Sequence, residues 1–434
     1  MVIYPHRTAP HRTAAPRASN QPYQGIYMDA ALSAKRRDVK TIALVGVAHL
    51  FSHLYQLVLP PLFPLIRAEF GVSYAKLGLL IGIFYAVSGV MQTPAGFLAD
   101  RIGARKVLIG GLGLLAVSAT LYGFAPNYTA MVALVILGGL GNSVFHPADY
   151  AIMSATVSPE RMGRAFSMHT VGGHIGYALA PVMMVTLSTV LGWRGALVAA
   201  GMLGIVVALV LVTQMQTGPD IRAPRDEGGG RGMAAGVRIL FQPVMLSLFA
   251  FFTIMAMGFI GLQSFTPTAL ITAREIAFAD ANFVLAGFLI GAPVGVLAGG
   301  LVADNTARHN LVSTLCLLLA AALIAAAGLS GGDAVVMAVL YFAAGVSFGM
   351  ALPSRDMVVR AITPKGASGK VFGFVYSGLD IGAAVSPVLF GWFVDLGHPM
   401  WIFMFVPLFL AIAAGIIVVS ARIAQRMSPA AAGE

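Results

Sequence analysis

A chain of 434 residues that is 58% hydrophobic and only 10% charged is not built for water, since soluble domains carry about a quarter charged residues. Its formal charge of +10 does not mark a nucleic-acid reader, because the basic residues sit in short connections between apolar runs and form no continuous basic face. The single cysteine, Cys316, lies within an apolar run, which excludes a disulfide framework and a thiolate metal site.

The chain opens with a polar stretch, residues 1–40, that carries a tandem PHRTA repeat from Pro5 to Ala14 and no apolar core of the secretory type. It is expected to be a disordered cytoplasmic tail. Met28, followed by Lys35, Arg36 and Arg37, is an equally sensible start, so the intact mass of the native protein would show whether the first 27 residues are translated. Twelve apolar runs follow, near 41–64, 76–98, 107–125, 129–154, 164–190, 195–215, 243–270, 281–302, 311–328, 333–357, 370–394 and 400–421. Each is long enough to cross a hydrocarbon core about 30 Å thick as a helix. The stripes Gly287, Gly291, Gly295, Gly299 and Gly172, Gly176, Ala180 and Gly378, Gly382, Ser386 read as seams where helix backbones approach closely.

The polar segment 216–242, with its Gly-Gly-Gly at 228–230, divides the spans six and six, giving bundles at 41–215 and 243–421 and a tail at 422–434. If the N-terminus is cytoplasmic, all Lys and Arg except Arg67, Lys76, Arg194, Arg274 and Arg355 fall on that side, the positive-inside pattern. Both termini are then cytoplasmic, with the segment 216–242 a cytoplasmic linker. The two halves are related in sequence, since Phe166, Gly172, Ile175, Gly176 and Pro181 recur as Phe372, Gly378, Ile381, Gly382 and Pro387 at a constant offset. Spans five and eleven run in the same direction, so the repeat is a parallel one between six-helix bundles. The fold class is therefore an all-α polytopic membrane protein of two pseudo-symmetric bundles.

The connection after span two reads Gly96-Phe97-Leu98-Ala99-Asp100-Arg101-Ile102-Gly103-Ala104-Arg105-Lys106, which resembles the signature loop of the major facilitator superfamily. A degenerate copy, Gly300 to Asn305 with Asp304, follows span eight. The resemblance covers essentially everything after residue 40 and implies the major facilitator fold. It also implies a conformational gate at Gly96, Asp100, Arg101, Gly103, Arg105 and Asp304, because a carboxylate at a helix end can meet an opposing helix in one state only. His49 to Pro64 and Gly141-Asn142-Ser143-Val144-Phe145-His146-Pro147 are similar to the fosmidomycin-resistance branch, which implies proton-driven drug export. The chain departs from that branch at His53, where an acidic residue is expected, and at Asp149 after the His-Pro pair. Leu137 also stands where many drug/proton antiporters carry Arg, so coupling residues do not transfer from the resemblance.

Ionisable residues inside spans cost several kcal/mol unless paired or facing water, so each is a functional candidate. His49 and His53 lie one turn apart on span one, and His174 and Asp380 occupy repeat-equivalent positions near the midplane. His146 and Asp149 in span four and Arg355 and Asp356 in span ten lie nearer the cytoplasm, and the repeat-equivalent pair Asp149 and Arg355 is expected to form a gating salt bridge. Gln56, Asn142, Gln263 and Tyr376 are candidate neutral cavity groups, whereas His169, Gln56 and Gln92 fit simple helix-to-helix bonding slightly better. Pro147, Pro181, Pro353 and Pro387 are read as bends. The candidate substrate set is then His49, His53, Gln56, Asn142, His146, His174, Gln263, Arg355, Tyr376 and Asp380, with Asp149, Asp356 and Asp380 as proton carriers.

No phosphate-binding loop, metal-ligand cluster or nucleophile motif is legible, so neither an enzyme nor a cofactor or metal is expected. The reading is a monomeric multi-pass inner-membrane transporter that moves a small solute by alternating access, with protons as coupling ion and export of a drug-like or anionic compound. Proton-coupled uptake of a small organic acid is the alternative, and a membrane sensor on the same scaffold is a third.

Overall fold

In lipid the backbone must satisfy its own hydrogen bonds, and apolar runs of this length do so as helices. The computed structural model describes residues 21–158, 161–215, 241–331, 333–362 and 368–427, and among these every regular element is helical. The PHRTA repeat, nearly all of the linker and the end of the C-terminal tail lie outside the described residues. The first helix runs Gln21–Gln56, so residues 21–40, expected as tail, extend span one.

Among the described residues, eleven helices are long and apolar enough to cross a membrane. One, Met162–Gln214, holds two spans that meet at Gly192, whose φ of 67° and ψ of 168° break the helix, so spans five and six join there and the total is twelve. Span four is also in two pieces, Tyr128–Asn142 and Phe145–Thr156. Pro147 explains the break, since its ring opposes the carbonyl four residues earlier, at Ser143.

The expected glycine seams close. Gly287, Gly291, Gly295 and Gly299 of span eight, Phe278–Asp304, lie against the backbone of span ten, Ala334–Ile362. Gly172 and Gly176 face Gly46 and Leu50 of span one, and Gly378 and Gly382 face Phe249 and Thr253 of span seven, Pro243–Arg274. Between the halves, span two, Tyr74–Ile102, packs on span eleven, Ser368–Asp395, while span eight packs on the long helix Met162–Gln214 that holds span five. A twofold relation that exchanges the bundles turns each of these contacts into the other.

The halves are clasped at one end. Asp395 Oδ1 and Oδ2 accept from the Tyr74 and Ala75 N–H groups at 2.8 and 2.7 Å, which places a carboxylate from one half on a helix N-terminus of the other. A Cβ on Gly78 would run into the Pro387 carbonyl, and one on Gly82 would stand 2.5 Å from that of Ala384. Phe63 and Phe265 meet with ring centroids 5.4 Å apart. At the opposite end of span two, Asp100, Arg101 and Asp304 are exposed, and among the described residues no hydrogen bond or ion pair joins them across the halves.

Two of the basic residues outside the main positive side are also explained. Arg194 binds Glu69 at 2.7 Å and donates to the Gly123 and Ala125 carbonyls at 3.0 and 2.8 Å, fastening three chain turns at the Tyr74 end. Arg274 donates to the Gly328 carbonyl.

Candidate functional site

Span five meets span one through Gly172 and Gly176, so the histidines beside these glycines are carried against those of span one. Asp149, fully buried in the second piece of span four, fills the angle between them. Its Oδ2 lies 2.9 Å from His169 Nε2 and 3.2 Å from His49 Nδ1. The His49 and His169 rings stack at 3.6 Å, and His53 and His146 stand 4.4 and 5.6 Å from His49 by ring centroid. Gly173 allows this crowding, since a Cβ there would come within 2.9 Å of the His53 ring. A carboxylate with no solvent must be paired or protonated, and here titratable imidazoles provide the partners.

One turn deeper, Gln56 Oε1 accepts from Tyr85 at 3.2 Å and from Tyr177 at 2.5 Å. Its amide donates to Ser52 at 3.3 Å and Asn142 at 3.1 Å, and Asn142 in turn accepts from Ser52 and donates to Ser88, each at 2.8 Å. Every hydrogen-bonding group of Gln56 is thereby engaged, so this side chain ties spans one, two, four and five and has nothing left for a solute.

The other half carries a cationic counterpart. Arg355 binds Asp356 through Nε at 2.8 Å and lies over the rings of Phe252 and Tyr376 at 4.7 and 5.6 Å. Tyr376 donates to Asp356 at 2.7 Å. The expected Asp149–Arg355 salt bridge is thus not formed: Asp149 is turned into its own bundle onto histidines, and the guanidinium is occupied by Asp356 and two aromatic faces. Tyr150, exposed on span four, is within electrostatic reach of Asp356 and Tyr376, so that helix face looks across to the other half. His146 shares this exposed face and stacks on Tyr150 at 6.1 Å.

Asp380 is half-buried in span eleven against span two, where a Cβ on Gly89 would lie 3.0 Å from its own Cβ. No hydrogen bond or ion pair engages its carboxylate among the described residues. His174 is half-buried and within electrostatic reach of Arg355, and Gln263 is buried with no partner for its Oε1 among the described residues. Gly103, with φ of 103°, ends span two in a conformation that favours glycine.

Two features were not anticipated from the residues. His169 is an integral member of the cluster, and its spacing of three and seven residues from Gly172 and Gly176 was the signal that places it on the face toward span one. His49, Asp149 and His169 also present ligand atoms within 4.8 Å of one another, although no metal-ligand cluster was legible. Three separate helices supply them, so no local spacing announces the set.

The profile of the Major Facilitator Superfamily matches residues 45–354 and, in an overlapping second match, 265–433. The fosmidomycin resistance protein of Escherichia coli (strain K12) is 22% identical over 375 residues, 85% of this chain and 90% of that protein. The D-galactonate transporter of Escherichia coli O6:H1 is 22% identical over 399 residues, 85% of this chain and 91% of that protein. Two further relatives are matched over only 38% and 32% of their own length. A bacterial homologue of the human lysosomal transporter Spinster, solved in an inward-facing and unoccupied conformation, superposes with a TM-score of 0.75 at 18% identity, covering 91% of this chain and 99% of that one.

Proposed function

The chain belongs to the Major Facilitator Superfamily, and on that premise we propose that it is a proton-coupled exporter of a small anionic or amphiphilic solute, working by alternating access in the inner membrane with both termini in the cytoplasm. The observation that carries this reading is the pair of facing chemistries: a buried carboxylate among histidines in one half, and Arg355 on an aromatic platform in the other. A proton enters where Asp149 and its imidazoles change charge together, and a solute anion competes with Asp356 for the guanidinium. Asp380, which has no hydrogen bond or ion pair among the described residues, is a second proton carrier at the span two and span eleven interface, where its charge state alters the contact between halves. Release of the clasp at Asp395 would open the Tyr74 end as the signature-loop end closes.

Uptake of a small organic acid is the second reading, favoured by the same arginine and by the similarity to a D-galactonate transporter. Purified protein in liposomes with an imposed pH gradient, tested with fosmidomycin and with galactonate, separates them. Export predicts that fosmidomycin moves against the proton flux, and uptake predicts that galactonate follows it. Movement that ignores the pH gradient sinks the coupling, and binding without accumulation would mark a sensor.

A further inference from the structure

Asp149 uses only one of its oxygens. Oδ2 receives His169, whereas among the described residues Oδ1 is buried without a hydrogen bond, and so is His49 Nδ1 although it stands 3.2 Å from Oδ2. At that separation a missing hydrogen bond means that the two groups are not aimed at each other. Both keep coordinating capacity that the surrounding protein does not use. The three ligand atoms lie within 4.8 Å of one another, and the two separations from Oδ2 are 2.9 and 3.2 Å. A tetrahedral ion with ligand bonds of about 2.1 Å requires ligand separations of roughly 3.4 Å, which small side-chain shifts achieve.

We propose that His49 Nδ1, His169 Nε2 and the Asp149 carboxylate bind one divalent transition-metal ion of the Zn2+ class. Two imidazoles and one carboxylate suit such ions, whereas Mg2+ and Ca2+ call for oxygen ligands throughout. His146, exposed and with its ring centroid 5.6 Å from that of His49 and 6.5 Å from that of His169, is the neighbouring imidazole outside the three. An ion there joins spans one, four and five at three points and takes the electron pairs that a proton would otherwise use. Bound metal therefore inhibits transport, a consequence that rests on the proton-coupled reading, while binding itself does not.

The test uses the purified full chain in detergent with any affinity tag removed. Co2+ titration should give one ion per chain and the strong visible absorption of tetrahedral Co2+, displaced by Zn2+. Asp149→Asn and His169→Gln should each weaken binding by about 100-fold or more, beyond the effect of removing an outer-shell partner, and His174→Gln should leave it unchanged. X-ray absorption of Zn2+ on the wild-type chain, which needs no variant, should show nitrogen and oxygen ligands with the scattering of two imidazoles. An all-oxygen shell, absence of stoichiometric binding, or equal loss in the His174 variant overturns the site. Metal binding combined with gradient-independent transport would overturn the proton reading and keep the metal site; gradient-driven transport with no metal binding would do the reverse.

Discussion

Asp380 and Asp149 are both carboxylates inside spans, yet their surroundings assign them different consequences when changed. Asp380 has no hydrogen bond or ion pair to lose among the described residues, so Asp380→Asn removes a proton site with little structural effect. Gradient-driven transport in liposomes should fall at least about tenfold, near 1.4 kcal/mol, while solute exchange without a gradient continues. His169 holds Asp149 at 2.9 Å, so His169→Ala strands a buried acceptor and should cost about 1–3 kcal/mol, read as a lower melting temperature that His169→Gln partly restores. The polar candidates His49, His53, Asp149 and Arg355 were legible because charge inside an apolar run stands out. Their partners were not. Asp149 pairs within its own bundle because span five brings His169 there, and which of two helices a carboxylate faces depends on rotations that one sequence does not display.

At the scale of helices, spacing did better. Glycine stripes on spans eight, five and eleven announced seams, which the structure closes against spans ten, one and seven, since only a missing Cβ lets backbones approach so closely. The break of span four was less visible, because Pro147 was taken as a bend in one continuous helix and instead separates two. The seam between spans two and eleven yields a prediction. Gly82→Val pushes a side chain into the Ala384 carbonyl, a backbone atom that cannot swing aside. Hydrogen exchange should accelerate in residues 74–82 and 384–395. Gly110→Ala, which meets nothing within 4 Å, should stay within about 0.5 kcal/mol of the parent in stability. Equal exchange in the two variants would refute the idea that this seam closes the Tyr74 end.

For the whole molecule, division into two matched bundles followed from the repeat and from the polar segment between them. The state in which the bundles meet did not, because one sequence serves every state of the cycle. Here Asp395 clasps the Tyr74 end, while among the described residues no hydrogen bond or ion pair joins Asp100, Arg101 or Asp304 across the halves, so the clasp sets the balance. With Cys316→Ser as background, Ala75→Cys and Asp395→Cys should cross-link spontaneously and abolish transport until a reductant is added. Asp395→Ala alone removes two hydrogen bonds at a helix N-terminus, about 1–2 kcal/mol in all, and should shift the balance between end states roughly five- to thirty-fold. Distance measurements between spin labels on the two halves would record it.

The turn at Gly192 joins spans five and six with a single non-helical residue, and nothing lies within 4 Å of where its Cβ would be, so the backbone angle and not crowding calls for glycine. A hairpin this short leaves no slack outside the membrane. Spans five and six must travel as one rigid fork, and an epitope or reporter inserted at this position would have to pull residues out of the bilayer to be accommodated.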